Sequence, residues 1–202
     1  RSERLMNEPD LRAVVLSGEG RAFCAGLDMG SMASLGKGDS GSDIGAGRLA
    51  RRTHGSANLP QYACTVWREL PVPVLAAVHG VAYGGGLQIA LGADVRYVRA
   101  DTRMSIMEVK WGLVPDMGGM ALTRGLVRPD RLRELIYSGR VVNGDEACAL
   151  GLATHVVDDP HAAALAAARE IARKSPDAIR AAKRLMRVVE DGDTAAILLA
   201  ES

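Results

Sequence analysis

The sequence has 202 residues, of which 48% are apolar, 25 are basic and 24 are acidic, so the formal net charge is +1. A chain of this length and apolar content can bury one large core. Its balanced charge gives no electrostatic footprint for nucleic acid or an anionic membrane, and an aromatic content of 3% disfavours stacking on single strands. No apolar run reaches the roughly 18 residues that span a bilayer, and no signal peptide is visible.

The cysteines and histidines indicate neither a disulfide framework nor a metal site. Cys24, Cys64 and Cys148 are odd in number and far apart, and no C-x-x-C pair occurs. The four histidines are scattered, without an H-E-x-x-H motif. We therefore expect reduced thiols in a cytoplasmic protein that contains no metal.

The first third of the chain predicts one strand and one long loop. Residues 11–17 are apolar and end at glycines, as expected of a strand. Residues 30–58 are rich in Gly, Ser and Ala and include a basic cluster of Arg48, Arg51 and Arg52. This composition favours a mobile surface loop. The arginines are also compatible with a lid or with a segment that contacts an anion.

The middle of the chain alternates helices with strands. A helix over 62–70 is stopped by Pro71 and Pro73, and VLAAVHG reads as a buried strand. Three glycines then lead into a short apolar helix, and DVRYV and RMSIMEV read as two further strands. Strand, glycine turn and helix recur in this order, which predicts an α/β fold with parallel crossovers.

The last third of the chain is predicted to be helical, with a start or stop signal at most helix ends. One helix covers 129–137, and Asn143 with Glu146 begins another. Asp159-Pro160 and Ser175-Pro176 begin the last two. In the final helix, an apolar stripe is expected to dock on the core; it consists of Ile179, Ala182, Met186 and Val189. The basic face is expected to be solvated, or else to contact a subunit or a phosphate; it consists of Arg180, Lys183, Arg184 and Arg187.

The three consecutive glycines at Gly84, Gly85 and Gly86 raise a separate question, because they contribute no side chain to pack. They match no phosphate-binding or nucleophile-elbow motif. They do leave the first amides of the following helix open to a ligand oxygen. A second turn of small residues, Ala25-Gly26, stands far away in sequence; if the two turns met, their N–H groups would form an oxyanion hole, in which each donor contributes about 3–4 kcal/mol.

Three motifs together resemble the enoyl-CoA hydratase/isomerase (crotonase) family. They are F-C-A-G-L-D, P-V-L-A-A-V-H-G-V-A-Y-G-G-G-L-Q and E-V-K-W-G-L-V-P-D-M-G-G, in this order. The resemblance runs from about Leu11 to Ala182. It implies an α/β fold with a crotonase-like ββα spiral core over 1–157 and a C-terminal helical oligomerisation region over 158–202, in a homotrimer or hexamer.

The resemblance also implies a site and a substrate. The substrate would be an acyl-CoA thioester of fatty acid metabolism, with no cofactor apart from the coenzyme A that the substrate carries. The implied oxyanion-hole amides are those of Leu27 and Gly85, the implied catalytic acids are Glu108 and Asp116, and the implied substrate-binding residues are Ala25, Asp28, Gly84 and Gln88. The family normally has a longer N-terminal portion with a basic loop that reaches the CoA phosphates, so we expect that this portion of the core is either truncated here or absent only from the given sequence.

Gln88 departs from the family pattern, because the family places an acid there. A glutamine can hold a hydrogen bond but cannot accept a proton as a base. One carboxylate, that of Glu108, suffices to shift a double bond, so isomerisation is favoured over the hydration of a 2-enoyl-CoA, the alternative reaction. Asp116 matches an acid of dienoyl-CoA isomerases, although it would equally suit a turn or a helix cap.

Two alternatives from other classes remain. Gln88 and the short N-terminus would also fit a non-catalytic member that binds acyl-CoA or serves in an assembly. The second of these alternatives is a protease or hydrolase that uses Cys24 as its nucleophile.

Overall fold

The computed structural model describes residues 2–26 and 50–201. The strands are β1 (Val14–Ser17), β2 (Val74–Val78), β3 (Val81–Tyr83), β4 (Val95–Val98), β5 (Arg103–Ser105) and β6 (His155–Val156). The helices are α1 (Ser2–Met6), α2 (Leu59–Glu69), α3 (Gly85–Leu91), a 3-10 helix (Glu108–Trp111), α4 (Gly119–Leu122), α5 (Pro129–Ser138), α6 (Gly144–Leu150), α7 (Pro160–Ala172), α8 (Pro176–Asp191) and α9 (Thr194–Ala200). None of these described helices has the length and apolar character that a membrane crossing requires.

The strands form two parallel sheets that successive passes of the chain build in alternation. One sheet has the order β1-β2-β4-β6 and the other pairs β3 with β5. After β1, Cys24 bridges Ala82 of β3 in parallel, so the first pass also reaches the second sheet. Three passes therefore lie side by side in a spiral, and the predicted α/β fold with parallel crossovers is confirmed.

Strand β2 lies at the centre of the core and is buried along its whole length. Because side chains alternate between the two faces of a strand, its residues divide between two apolar clusters. Val74, Ala76 and Val78 belong to the larger cluster, whereas Leu75 and Ala77 pack with Ala164 of α7 on the other face. Apolar layers on both faces explain why β2 reads as a continuous apolar run.

The residues predicted to cap the helices lie at the helix ends, as expected. The side chains of Asn143, Asp159 and Ser175 each accept a hydrogen bond from a backbone N–H in the first turn of the helix that they cap. Gly139 and Gly151 close α5 and α6 in the left-handed conformation.

The predicted strand RMSIMEV is wrong in its second half, because β5 ends at Ser105. Its partner β3 ends at Tyr83, directly opposite Ser105, so the ladder stops there. Met107 leaves the extended conformation, and Glu108 begins the 3-10 helix. Glu108, the candidate catalytic acid, therefore follows β5 in a tight turn.

Helix α8 docks differently from the prediction. Lys183, assigned to a solvated basic face, is only 8% exposed, whereas Met186 and Val189 of the apolar stripe are exposed. The Lys183 ammonium donates to Trp67 O (3.0 Å), Val72 O (2.8 Å) and Asp94 Oδ2 (2.8 Å). A long apolar stem carries the charge to these acceptors, which a helical pattern alone does not reveal.

The contacts of Lys183 fasten α8 to the beginning of the central strand. Asp94 Oδ2 also accepts a hydrogen bond from Val74 N (2.7 Å), the first residue of β2. Burial lowers the pKa of Lys183, and the charge of Asp94 acts in the opposite direction. The ion pair is therefore structural and is fully hydrogen-bonded on the lysine side.

We expect Lys183→Met to lower the free energy of unfolding by about 3 kcal/mol, because it leaves a carboxylate and two carbonyls without their donor. Arg184→Met, at the next and exposed position of α8, is the matched control and should change stability by less than about 0.5 kcal/mol. Urea denaturation of both variants measures the difference. Equal stabilities would contradict the role assigned to Lys183.

Candidate active site

The two turns that the sequence singles out lie side by side. Cys24 and Tyr83 belong to neighbouring passes, and Tyr83 N donates to Cys24 O (3.1 Å). A Cβ built on Gly26 would lie 2.7 Å from Tyr83 O and 3.7 Å from Gly85 N. The turn after Cys24 therefore runs directly against the first amide of α3, as an oxyanion hole requires.

Each of the three glycines has its own steric reason. Gly84 has φ +50°, a conformation that L side chains rarely adopt, and a Cβ there would lie 3.4 Å from Glu108 Oε1. A Cβ on Gly85 would lie 2.7 Å from Met117 Sδ. A Cβ on Gly86 would collide with the carbonyl oxygen of Cys24. The run of glycines thus permits close packing on three sides of one turn.

The first predicted turn is described only up to Gly26. Ala25 is exposed at this turn. Leu27, predicted to supply the second oxyanion-hole amide, and Asp28, predicted to contact substrate, lie outside the described residues. The pairing of the Leu27 and Gly85 amides stays a prediction.

Glu108 is held beside the glycine turn with one of its oxygens unsatisfied. The residue is 9% exposed, and its Oε1 accepts a hydrogen bond from Gln88 Nε2 (2.7 Å). Its Oε2 is buried and has no hydrogen-bond partner within the described ranges. A buried polar atom without a partner is costly, so Oε2 is free to bond to a group that enters the site.

Gln88 is a buried support for Glu108. Its Oε1 accepts hydrogen bonds from Met117 N (3.0 Å) and Gly119 N (2.8 Å). Because backbone N–H groups can only donate, the oxygen must face them and the NH₂ group must face Glu108. Gln88 thus connects the second and third sequence motifs; its predicted contact with substrate stays a prediction.

Asp116 stands apart from this buried network. It is exposed and precedes Met117, whose backbone N–H binds Gln88. Burial is the main cause that raises the pKa of Cys64 in α2 to about 12, and the charges of Cys24 and Asp116 contribute to the same shift. The charge of Asp116 therefore acts on a residue of α2. Its assignment as a second acid stays a prediction.

Sequence reasoning missed the loop that covers the turn. Met117 places its sulfur over Gly85, and Gly118, at φ +86°, lies against Thr65 of α2. The loop also borders a cavity of about 610 Å³ between α2 and α4, whose lining includes Gln61, Thr65, Gly118 and Ala121. The run M-G-G, inside the third motif, was the available signal, because consecutive glycines indicate close backbone approach.

Among residues 2–26 and 50–201, no three His, Cys, Asp or Glu side chains are grouped so that they could hold a metal ion. Cys24 is half-buried, and a Cβ on Gly86 would lie 2.8 Å from its Cβ, so this cysteine packs beneath α3.

Comparison with known sequences confirms the family resemblance. The profile of the family described as Enoyl-CoA hydratase/isomerase matches residues 3–200. The chain is 36% identical over 185 residues to the mitochondrial Delta(3,5)-Delta(2,4)-dienoyl-CoA isomerase of Mus musculus, covering 90% of this chain and 56% of that protein. It is 35% identical over 193 residues to the enoyl-CoA hydratase EchA19 of Mycobacterium tuberculosis, covering 93% and 68%. The chain thus spans little more than half the length of the mouse relative.

Comparison with solved structures gives the same result for the fold. An enoyl-CoA hydratase from Bacillus anthracis superposes with a TM-score of 0.85 at 28% identity, covering 99% of this chain and 74% of that one. The predicted crotonase-like fold is therefore confirmed.

We expect Gly85→Ala and Gly86→Ala to differ sharply in stability. At Gly85 the obstacle is the flexible end of Met117, so alanine should change the unfolding free energy by less than about 1 kcal/mol. At Gly86 the obstacle is backbone, so alanine should remove about 3 kcal/mol. Thermal and urea denaturation of both variants check this order, and equal losses would refute the packing described.

We expect the three cysteines to react unequally with a thiol-alkylating reagent at pH 8. Cys64 is buried with a pKa near 12, so its thiolate is scarce, whereas Cys24 and Cys148 are half-buried. Peptide mass spectrometry of the folded protein should show Cys64 modified last, and denaturation should abolish the difference. Early labelling of Cys64 in the folded protein would contradict this.

Proposed function

The chain belongs to the enoyl-CoA hydratase/isomerase family, and we propose that it shifts the double bond of an enoyl-CoA thioester by moving one proton along the acyl chain. The observation that carries this proposal is the hydrogen bond from Gln88 Nε2 to Glu108 Oε1. The buried acid has an amide as its neighbour where a second carboxylate would be needed to split water. Similarity to isomerases and hydratases of CoA thioesters supports the substrate class.

The first step removes a proton from the carbon next to the thioester carbonyl. The negative charge then moves to the carbonyl oxygen, which needs fixed hydrogen-bond donors. In this proposal the Gly85 N–H is one donor, and the Leu27 N–H is the second. Donors that are already in place stabilise the enolate without reorganising, by about 3–4 kcal/mol each.

Glu108 is the proton carrier in this proposal. Its Oε1 is occupied by Gln88, so the unpartnered Oε2 takes the proton from C2 and returns it to C4. The double bond moves from C3–C4 to C2–C3, and no other atom is gained or lost. Burial of the carboxylate keeps bulk water from competing for the proton.

Asp116 is proposed as a second acid for longer conjugated substrates. With a 3,5-dienoyl thioester, the proton must return to C6, farther along the chain than C4. An acid in addition to Glu108 would serve that end of the substrate, and similarity to a dienoyl-CoA isomerase supports the assignment. The two acids would then act at opposite ends of the diene.

The proposed assembly is a homotrimer or hexamer formed through the region 158–202. Exposed apolar side chains on α8 and α9 support it, because an isolated monomer would leave them in water; they are Met186, Val189, Leu198 and Leu199.

We expect Glu108→Gln to reduce the isomerisation of 3-enoyl-CoA by about 10³-fold or more, because it removes the proton carrier without changing its size. Asp116→Asn should leave this substrate within about threefold of the native rate and should slow the 3,5-dienoyl substrate by about 10²-fold. Absorbance of the conjugated thioester measures both rates, and calorimetry with a saturated acyl-CoA checks that binding persists.

Two outcomes would replace the proposed reaction. Rapid hydration of 2-enoyl-CoA that is lost in Glu108→Gln would identify a hydratase. Binding of acyl-CoA with no change in any enoyl substrate would identify a non-catalytic member of the family.

A further inference from the structure

The side-chain amide of Gln88 joins three separate segments at the candidate site. It lies in α3, binds the carboxylate of Glu108 in the 3-10 helix and binds the backbone of the loop at Met117 and Gly119. Gln88 is itself 2% exposed. A half-turn of the amide would set its NH₂ against two N–H donors and its oxygen against a carboxylate, so only one orientation is stable.

We propose that Gln88 is a positioning residue that assigns proton transfer to Oε2 of Glu108 and holds Met117 over the Gly85 amide. The first half of this inference rests on the proposed function. Oε1 accepts a 2.7 Å hydrogen bond from an amide that cannot rotate, so a proton placed on Oε1 would displace that bond. Oε2 has no competing donor in the described residues and is the oxygen that can be protonated without loss.

The second half of the inference concerns the oxyanion turn. Met117 N is fixed by Gln88, and the sulfur of the same residue lies where a Cβ of Gly85 would be. One side chain thus sets the position of both the proton carrier and the cover of the proposed oxyanion donor. Loss of the amide should disturb the two together.

Gln88 forms the hydrogen bond to the Glu108 carboxylate in the described residues, and it is neutral. The titratable or charged groups on the surrounding elements lie mostly at the surface; they are Tyr83 on β3, Arg103 on β5, Lys110 on the 3-10 helix, Asp116 on the loop, and Asp130, Arg131, Arg133, Glu134 and Tyr137 on α5. A carboxylate in place of Gln88 would instead stand within hydrogen-bond distance of Oε1, and the two acids would share a proton.

Two substitutions separate positioning from structural support. Gln88→Glu retains an oxygen for Met117 N and Gly119 N but replaces the donor to Glu108, whereas Gln88→Met removes both functions at similar size. We expect Gln88→Glu to keep the loop contacts but to have a lower melting temperature at neutral pH than the native protein, because two adjacent buried acids disfavour the folded state once both are ionised. The acid limb of its kcat profile should move to higher pH by about one unit or more. Gln88→Met should lower the melting temperature, raise KM and lower kcat about tenfold.

The titration of Glu108 can be followed without any substrate. Carbon-13 labelling of glutamate side chains and NMR, with Glu108→Gln to assign the signal, should show a higher titration midpoint in both Gln88 variants than in the native protein. This readout still decides the matter if Gln88→Met does not fold, because Gln88→Glu keeps the loop contacts.

Unchanged Glu108 titration and an unchanged pH profile in Gln88→Glu would overturn the inference and leave Gln88 a structural residue. Absence of isomerase activity in the native protein would overturn the proposed function instead. In that case a shifted titration would still uphold the contact of Gln88 with Glu108, without a catalytic consequence.

Discussion

The parallel pairing of β1 with β2 is the constraint on which the site depends. Val14 lies opposite Val74 and Ser17 opposite Ala77, so the two passes leave the first sheet in register. They therefore enter the second sheet as neighbours, with Cys24 beside Ala82. Because parallel neighbours turn at the same edge, the small-residue turns that follow are brought together. A shift of this register would separate the turns, and the close contacts that the glycines permit would be lost.

Two buried charged groups, Lys183 and Glu108, illustrate different uses of burial. Lys183 has three donors and three acceptors around it, which is how a folded core accommodates a charge. Glu108 has one satisfied oxygen and one unsatisfied oxygen in the described residues. The hydrogen bonds of Lys183 stabilise the docking of α8, whereas Oε2 of Glu108 can still form a hydrogen bond with a ligand. Burial identifies both groups, and the hydrogen bonds tell them apart.

The neutral amide beside the acid narrows the chemistry. Two carboxylates at this distance would have to share a proton, which suits the activation of water by a pair of acids. A glutamine donates a hydrogen bond to its neighbour and fixes its orientation, which suits a carboxylate that carries a proton from one carbon to another. The proposed preference for proton transfer over hydration therefore rests on the side chain of Gln88 in α3.

The sequence by itself determined the fold class, most helix ends and the identity of the three motifs. These features are local or nearly so: caps at Asn143 and Asp159, αL glycines, and an apolar run long enough for a buried strand. The resemblance to the family also singled out Glu108 and Gln88 by their places in the second and third motifs. The end of β5 could not be read locally, since it depends on where its partner β3 stops.

Only the tertiary structure decided which groups meet. The bond between Gln88 and Glu108, the position of Met117 over Gly85 and the burial of Lys183 join residues that lie far apart in the chain. Such contacts depend on strand register and helix docking, which the core as a whole selects, and a local pattern contains no record of them. The sequence therefore identified the residues of the candidate site, whereas the contacts between them could be found only in the folded chain.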